Sequence, residues 1–365
     1  MRYKPLGTKV VFTVAVMIIM HVSGYACTTF IVGERNSQLF GRNYDWGFGD
    51  GYVIVNKRGV YKAAFKSRID GDNGQPATWT SRFGSVTFNQ YGQEFPTGGM
   101  NEAGLVVETM ALLSTKYPAP DSRPYLPNAQ LWRQYLLDTC SSVRDVIESD
   151  SRVRISSDAS KGIGIHLLIL DREGNAAIIE FLEGRTVVYT DASLPVRALT
   201  NDTYQESLEY RKSGTFPMMD PSGSIERFTT AAGLVQGHTT TRSRPSLEQA
   251  FDILDRVASH RTRWRIVYNN RGMKIHLRTD GNARIRTIDV ARFDFSCKTP
   301  VKALNINDNL AGDVTQNFRD YDPETNMELV KTSFVKLRNR FRRLRVSDQA
   351  MEFLGKYPQQ CECRE

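Results

Sequence analysis

One cysteine, Cys27, stands at a junction where its thiol could become a nucleophile. The residues before it are Gly-Tyr-Ala, which places small residues at the −3 and −1 positions of a signal-peptide cleavage site. Cleavage there would give Cys27 a free α-amine as well as a thiol. An α-amine titrates at about 7.7–8.0 and can serve as the general base for that thiol. The sequence therefore predicts a nucleophilic cysteine at the N-terminus of the processed chain.

A predicted hairpin brings two charged residues back to this cysteine. Residues 27–32 are rich in β-branched side chains, residues 33–37 favour a turn, and residues 39–46 favour a return strand. An antiparallel pair of this spacing would place Arg42 and Asp45 beside the thiol. The guanidinium would stabilise the thiolate, and the carboxylate would orient and bind the ammonium form of the amine. Without that role, the two residues would form a surface ion pair of little energetic value.

The first 26 residues have the composition of a cleaved leader. Three basic residues and no acid precede an apolar run over residues 10–20, which is too short for a hydrocarbon core of about 30 Å. We therefore expect an exported protein, either periplasmic or secreted. Two alternatives stay open: an uncleaved N-terminal anchor, and a lipoprotein in which Cys27 carries the lipid. The lipoprotein pathway favours a Leu-like residue where this chain has Gly24.

Further motifs follow in a fixed order as far as about residue 297. They are Cys-Thr-Thr at 27–29, Phe-Gly-Arg-Asn-Tyr-Asp-Trp at 40–46, Gly-Met-Asn-Glu-Ala-Gly-Leu at 99–105, Leu-Thr-Asn at 199–201 and Ile-Glu-Arg-Phe at 225–228. The ordered set resembles the choloylglycine hydrolase and penicillin V acylase family. Members of that family are N-terminal-nucleophile cysteine hydrolases that cut linear amide bonds.

The resemblance implies a fold and a role for each of five residues. The implied fold is α+β, a four-layer αββα sandwich of the N-terminal-nucleophile hydrolase type, over residues 27–297. Cys27 would be nucleophile and base in one, with Arg42 and Asp45 activating it. Asn201 would donate to the tetrahedral oxyanion, and Arg227 would complete the polar network. Substrates within the family are conjugated bile salts, phenoxyacetyl penicillins and, for some members, N-acyl homoserine lactones.

Three of these positions have other interpretations. Asn201 precedes a helical stretch and suits a helix N-cap, and Arg227 on its own suits a solvated helix residue. Many family members have a second oxyanion-hole asparagine ten positions after the one that matches Asn101, and here that position is Ala111. A backbone N–H would replace the side chain, or the pocket is shaped for another acyl group. The apolar residues around Ala111 suit an acyl-binding wall or a buried strand. The departure favours a general N-acyl amide or penicillin V type acylase over a dedicated bile-salt enzyme.

The remaining pattern predicts mixed α and β content, and the layering comes from the resemblance alone. Predicted strands lie at residues 52–56, 85–90, 105–111, 164–170, 176–181, 264–269, 273–278 and 284–289. Predicted helices lie at residues 128–139, 142–149, 225–235 and 246–258.

Neither a metal nor a cofactor is expected. The histidines have no ligand spacing, and the thiols of Cys361 and Cys363 fall short of a zinc set. A phosphate-binding loop of the GxxxxGK type does not occur. If Cys27 stays free as the nucleophile, Cys140, Cys297, Cys361 and Cys363 form an even set in an oxidising compartment. Up to two bridges would tie the tail to the body, with the connectivity open.

The net charge of +8 is local. The leader carries +3 and residues 331–345 carry +7, so the remainder carries −2, which argues against nucleic acid as a partner. Residues 298–365 form a predicted C-terminal extension. Within it, Phe334, Leu337, Phe341 and Leu344 form the apolar stripe of a basic helix over 331–345. The stripe would pack on the body, which we favour, or dock on an anionic membrane.

The sequence thus predicts an exported amidohydrolase whose partner is a small N-acyl amide and which needs no cofactor. Assembly as a homo-oligomer is left open. Two functions of other classes compete with this prediction. One is a lipid-anchored envelope protein that uses Cys27 for attachment, and the other is a non-catalytic relative that keeps the fold.

Overall fold

The structure is a computed structural model that describes residues 26–66, 74–156, 163–214, 223–241, 244–340 and 346–365. The predicted leader, apart from Ala26, lies outside the described residues. So do the last five residues of the predicted basic helix over 331–345.

The described chain is built from the following strands and helices. The strands are β1 (Thr28–Val32), β2 (Leu39–Asp45), β3 (Tyr52–Asn56), β4 (Val60–Ala63), β5 (Thr78–Thr80), β6 (Ser85–Asn89), β7 (Pro96–Asn101), β8 (Val106–Ala111), β9 (Tyr125–Leu126), β10 (Arg154–Ile155), β11 (Ile165–Leu170), β12 (Ala176–Leu182), β13 (Arg185–Thr190), β14 (Ala198–Leu199), β15 (Thr262–Asn269), β16 (Lys274–Thr279), β17 (Arg286–Asp289), β18 (Lys302–Asn305), β19 (Gly312–Asp313), β20 (Arg319–Asp320) and β21 (Glu362–Cys363). The helices are α1 (Ala129–Thr139), α2 (Val143–Ser149), α3 (Tyr204–Ser213), α4 (Ser224–Thr241), α5 (Leu247–Arg256), α6 (Pro323–Arg340) and α7 (Asp348–Lys356).

Two large sheets lie at the centre of the fold. One has seven strands in the order β14-β1-β2-β15-β16-β17-β19, and the other has nine in the order β13-β12-β11-β8-β7-β6-β3-β18-β20. Pairing in both sheets is antiparallel except between β17 and β19. The inner faces of the sheets meet, because Phe88 of β6 packs on Tyr268 of β15 with ring centroids 6.2 Å apart.

Helices cover the outer face of each sheet. Helix α1 packs on β7 and β8 of the nine-stranded sheet, and α4 and α5 pack on β1 and β2 of the seven-stranded sheet. Burial of the apolar side of α1 and α5 against the sheets explains why these helices form where the 3.6-residue pattern predicts them. The predicted α+β sandwich with the layers αββα is confirmed.

The predicted elements are present, and the differences are at their ends. Ser142 is the N-cap of α2, and Asp145 completes its capping box. Helix α4 extends to Thr241, beyond the predicted end at residue 235. The strands missed by the prediction are mostly short ones such as β4, β5 and β9, which have too few residues to show an alternating pattern.

The chain after Cys297 contributes to the body of the fold. Strands β18 and β20 extend the edge of the nine-stranded sheet, and β21 pairs with β4. A disulfide joins Cys297 to Cys363, so the expected link between tail and body is present. The possible second bridge is not formed, because Cys140 after α1 and Cys361 after α7 are both free thiols.

Helix α6 places the first part of the predicted apolar stripe against the body. Phe334 packs on Tyr91 with ring centroids 5.3 Å apart, and Leu337 is buried. The ammonium group of Lys336 lies 2.6 Å from a carboxylate oxygen of Asp50. Up to Arg340 the stripe therefore packs on the protein, whereas Phe341 and Leu344 lie outside the described residues. None of the described helices combines the length and the apolar character that a membrane span requires.

Candidate active site

The thiol of Cys27 lies at the start of β1 and is buried. Its Sγ is 3.8 Å from Nη2 of Arg42 and 3.9 Å from the backbone oxygen of Asp45. The hairpin register, with Thr29 opposite Arg42, produces this proximity as the spacing predicts. Burial raises the pKa of the Cys27 thiol, and the Arg42 charge lowers that pKa only in part. The sequence indicated the effect of the cation but not the larger effect of burial.

Arg42 is held in place on the side away from the thiol. Its Nη1 donates to Oε2 of Glu108 at 2.6 Å and also to the backbone oxygen of Thr109. The guanidinium lies over the ring of Tyr44, 5.4 Å from the centroid. These contacts fix the side chain between the two sheets, so Nη2 remains directed at Cys27.

Glu108 is a site residue that the sequence analysis missed. It projects from β8 between the sheets, where it also accepts a hydrogen bond from the hydroxyl of Tyr268. Burial raises the pKa of Glu108, and the adjacent Arg42 charge opposes that shift. Gly98 of β7 lies opposite Glu108 and leaves room for its carboxylate. The signal in the sequence was a single acid within an apolar strand, because a buried charge requires a partner.

Asp45 is buried, and among the described residues neither of its carboxylate oxygens has a hydrogen-bond partner of normal geometry. Burial raises the pKa of Asp45 to about 6, although the hydroxyl of Thr262 and the charge of Arg227 lower it in part. Such a carboxylate is costly to leave unpaired. It is suited to accept a cation that approaches the start of β1.

Asn201 and Arg227 form the second half of the site. Nη2 of Arg227 donates to Oδ1 of Asn201 at 2.9 Å, and its Nε donates to Oγ1 of Thr28 at 3.2 Å. Arg227 is buried, so its interpretation as a solvated helix residue is wrong. Burial lowers the pKa of Arg227, and the charge of Asp45 opposes that shift. The interpretation of Asn201 as a helix N-cap is also wrong, because Thr203 caps α3.

The backbone at Ala111 orients Asn201. The side-chain Nδ2 of Asn201 donates to the carbonyl oxygen of Ala111 at 2.8 Å. An amide nitrogen carries two hydrogens, and the described residues provide an acceptor for only one. The second hydrogen is available to a substrate oxygen. Ala111 thus takes part through its backbone, although through its carbonyl and not through the N–H that the sequence analysis considered.

The residues that follow this contact change from buried to exposed. Leu112 is buried, whereas Leu113 is 68% exposed. The run therefore begins as a buried strand and ends on the surface, two residues after the contact with Asn201. Asn101, at the other end of the same hairpin, serves the turn as expected, since its Oδ1 accepts from the backbone nitrogens of Ala103 and Leu105.

All five predicted site residues belong to one connected group. Cys27 contacts Arg42 and the backbone of Asp45, and Arg227 joins Asn201 to Thr28, the residue next to Cys27. Within the described residues, no group of three or more His, Cys, Asp or Glu side chains is placed to hold a metal ion. The arrangement provides a thiol, a cation beside it and an amide donor, which are the groups that acyl transfer requires.

Comparisons with known proteins agree with this geometry. The family model for linear amide C–N hydrolases of the choloylglycine hydrolase family matches residues 27–216, more than half of the chain. The chain is 22% identical to penicillin V acylase from Pectobacterium atrosepticum over 319 residues, 74% of this chain and 82% of that protein.

Two solved structures share the fold. The structure of penicillin V acylase from Agrobacterium tumefaciens has a TM-score of 0.66 at 24% identity, and covers 81% of this chain and 98% of its own. A mutant conjugated bile acid hydrolase from Clostridium perfringens has a TM-score of 0.62 at 19% identity, and covers 76% and 96%. These structures share the fold, and the match of the family model over more than half of the chain shows that the chain belongs to the choloylglycine hydrolase family of linear amide C–N hydrolases.

Proposed function

We propose that this protein is an exported amidohydrolase that cuts N-acyl amides with Cys27 as its N-terminal nucleophile. The observation that carries the proposal is the position of the thiol, 3.8 Å from the Arg42 guanidinium and next to the Arg227–Asn201 pair. The match of the family model begins at Cys27, where the predicted cleavage would expose the amine. The leader supports export to the periplasm or the medium.

In the first step the free α-amine of Cys27 accepts the thiol proton, and the thiolate attacks the carbonyl carbon of the amide. A C–S bond forms, and the carbonyl electron pair moves to oxygen. The second Nδ2 hydrogen of Asn201 donates to that oxyanion, a contact worth about 10²–10³ in rate when one such donor is removed. Collapse breaks the C–N bond, and the ammonium returns its proton to the leaving amine.

In the second step water hydrolyses the thioester. The α-amine, neutral again, accepts a proton from water as the hydroxyl attacks. Collapse of the second tetrahedral intermediate breaks the C–S bond and releases the acid, and the ammonium returns its proton to the Cys27 thiolate. Asp45 supports both steps, because the cysteine amine is protonated once in each. Its buried carboxylate, which otherwise has no normal hydrogen bond, would pair with that ammonium.

For the substrate class we propose N-acyl amides of the kind that penicillin V acylases cleave. The curated relative is named a penicillin V acylase. Ala111 supports the same choice, because it stands where many members of the family have an asparagine. Leu113 follows two residues later and is exposed, so an acyl group would find apolar surface there.

A panel of N-acyl amides, assayed for the released amine, tests the proposal. Purified processed protein is compared with Cys27→Ala and with Cys140→Ala, which removes a buried free thiol outside the site. We expect the wild type and Cys140→Ala to hydrolyse at least one phenoxyacetyl or fatty-acyl amide. Cys27→Ala should hydrolyse the same amide at less than about 1% of the wild-type rate. Equal hydrolysis by Cys27→Ala would show that the nucleophile lies elsewhere.

The intact mass of the protein separates the competing functions. A processed chain that begins at an unmodified Cys27 agrees with the proposal. A lipid increment on Cys27 would instead indicate an envelope anchor, since the amine and thiol would both be blocked. A processed, unmodified chain that hydrolyses nothing in the panel would indicate the non-catalytic relative.

A further inference from the structure

A buried, hydrogen-bonded pair of a histidine and a glutamate contacts the residue before Asn201 and has no part in the chemistry described above. Nδ1 of His166 lies 2.8 Å from Oε1 of Glu180, and both side chains are fully buried. His166 belongs to β11 and Glu180 to the neighbouring β12. A contact between two such buried polar groups often contributes little to stability, because the desolvation of both groups offsets their attraction. Its presence in the sheet therefore calls for another role.

The other ring nitrogen of His166 connects this pair to the site. Nε2 lies 2.8 Å from the carbonyl oxygen of Thr200, the residue before Asn201. A carbonyl oxygen only accepts, so Nε2 must carry a hydrogen and donate it. The hydrogen bond between Nδ1 and Oε1 of Glu180 joins the same ring to β12. Both groups are thus committed to one arrangement, in which the imidazole holds the Thr200 carbonyl.

Glu180 holds the chain on the other side of Asn201. Its Oε1 also accepts a hydrogen bond from the backbone nitrogen of Tyr204 at 2.9 Å. The segment from Thr200 to Tyr204 is therefore anchored at both ends by the same two side chains. Within that segment the backbone nitrogen of Asn201 donates to Oγ of Ser224 at 2.8 Å. Because this backbone is fixed, the short side chain of Asn201 can place its amide in only a small region.

The same strand also sets the acceptor that orients the Asn201 amide. Ile165 pairs with Ala111, and His166 pairs with Met110 in the ladder between β11 and β8. Strand β11 thus positions both the carbonyl of Ala111, through the ladder with β8, and the backbone before Asn201, through His166. Displacement of His166 would change the distance between them, and with it the direction of the free Nδ2 hydrogen.

We infer that His166 and Glu180 are positioning residues that hold Asn201 in the geometry needed to stabilise the oxyanion. This inference rests on the proposed function, because it concerns the same site. Neither side chain touches the reacting atoms. Their loss should weaken transition-state stabilisation while the thiol stays reactive, since Cys27 and Arg42 have contacts of their own.

The test uses the processed full-length protein and the variants His166→Gln and Glu180→Gln. Each is assayed for kcat and KM on an N-acyl amide that the wild type hydrolyses, and for the rate at which iodoacetamide alkylates Cys27. Alkylation forms no oxyanion and so reports the thiol alone. His276→Gln is the matched control, because His276 lies on β16 and hydrogen bonds to Thr287 outside the site.

We expect kcat to fall about 10- to 100-fold in both variants, less than for complete loss of an oxyanion donor. KM should stay within about threefold and alkylation within about twofold of wild type, with the control unchanged. An unchanged kcat, or an alkylation rate that falls in parallel with kcat, would overturn the inference. Should His166→Gln fail to fold, Glu180→Gln provides the readout, and failure of both to fold would show that the pair serves folding instead.

Different results would overturn the proposed function and the positioning role of His166 and Glu180. A wild-type protein that hydrolyses none of the N-acyl amides would overturn the proposed function, and this inference with it. A wild-type enzyme that is active while both variants keep its kcat would overturn the inference alone.

Discussion

The thiol of Cys27 is subject to two opposing influences. Burial favours the neutral thiol and raises its pKa, whereas the Arg42 guanidinium at 3.8 Å favours the thiolate and lowers the pKa. Arg42 can do this without forming a tight ion pair with the sulfur because Glu108 and the Thr109 carbonyl hold it on the other side. Among the groups that lower the thiol pKa, Arg42 has the largest effect, and its position is itself fixed by a buried carboxylate.

Substitution of that cation should raise the thiol pKa. For Arg42→Gln in the processed protein we expect the pH profile of iodoacetamide alkylation to move up by about one unit or more, since an opposite charge within about 4–6 Å shifts a pKa by that amount. Alkylation at pH 7 should fall about tenfold. Arg265→Gln is the control, because Arg265 on β15 of the same sheet pairs with Asp255 near the surface. An unmoved profile for Arg42→Gln would contradict the role given to Arg42.

The pKa of Asp45 leads to an effect on stability whose sign depends on processing. In a chain that begins at Ala26, the nitrogen of Cys27 is a peptide nitrogen and cannot carry charge. The pKa of Asp45 is then raised to about 6 in the folded state, so ionisation of this carboxyl lowers stability progressively from about pH 4 to pH 6 and above. The full cost at pH 8 is about 3 kcal/mol by the size of the shift.

We therefore expect Asp45→Asn to stabilise the chain that begins at Ala26 at pH 8, and to have little effect at pH 4. In the chain that begins at Cys27 the same substitution should destabilise, because the asparagine cannot pair with the α-ammonium. Urea unfolding of both chains at both pH values measures the difference. An effect of equal sign in the two chains at pH 8 would rule out pairing between Asp45 and the amine.

At this scale, the sequence alone identified the residues with a motif around them and missed those without one. Cys27, Arg42 and Asp45 follow from the spacing of one hairpin, and Asn201 and Arg227 follow from the family resemblance. Glu108 could not be predicted as the partner of Arg42, because the contact joins strands of different sheets. The His166–Glu180 pair escaped for a related reason: neither residue stands in a motif that the resemblance covers.

Among the elements, β7 passes beside Glu108 at a residue without a side chain, Gly98. A Cβ built on Gly98 would lie 2.0 Å from Oε2 of Glu108. Glu108 cannot move away without giving up its contacts to Arg42 and Tyr268. Gly98 is thus required by packing, and not by an unusual backbone conformation.

Gly98→Ala should destabilise the protein by about 1–3 kcal/mol, the usual cost of an overpacked core, and should reduce kcat through the displaced Glu108. Gly233→Ala is the matched control, since a Cβ on this glycine of α4 meets no atom within 4 Å. A glycine inside a helix costs up to about 1 kcal/mol relative to alanine, so the control should be slightly stabilised. Urea unfolding and kcat measure both variants. A Gly98→Ala protein with wild-type stability and kcat would show that Glu108 has room to move.

Long elements with a clear periodicity could be predicted from the sequence, and short or aperiodic ones could not. The hairpin β1–β2 and the amphipathic helices α1 and α5 were predicted because several residues repeat one pattern. The predicted end of α4 at residue 235 was too early, because the exposed residues Gln236 and Gly237 show no apolar periodicity although the helix continues to Thr241. The order of strands within each sheet was not available from periodicity, since pairing between distant segments leaves no local pattern.

On the scale of the whole molecule, the C-terminal segment is attached to the body at several points. Strands β18 and β20 extend the nine-stranded sheet, β21 pairs with β4, and the bridge from Cys297 to Cys363 spans 66 residues. The sequence indicated a tie of this kind but could not choose the partners among four cysteines. Whether residues beyond Arg340 contact an anionic membrane stays a prediction.

Loss of the bridge should lower stability without removing the active site. For Cys363→Ser we expect a loss of about 2–4 kcal/mol under oxidising conditions, the usual range for a native disulfide. Cys361→Ser, which removes the free thiol two residues away, should change stability by less than about 1 kcal/mol. The pair is compared by urea unfolding with and without a reductant. The reductant should lower the stability of the wild type but not that of Cys363→Ser. An equal loss of stability in both proteins would show that the effect of the reductant does not come from the Cys297–Cys363 bridge.

The central claim is that Cys27, once at the N-terminus, carries the acyl group during turnover. The most direct measurement is to mix processed enzyme with a hydrolysable N-acyl amide, quench in acid within the steady state, and locate the adduct by peptide mass spectrometry. We expect a peptide that begins at Cys27 and carries one acyl group on its sulfur, and we expect Asn201→Ala to acquire that acyl group more slowly during the approach to the steady state. Steady turnover with no acyl group on Cys27, or an active protein whose N-terminus lies elsewhere, would contradict the account.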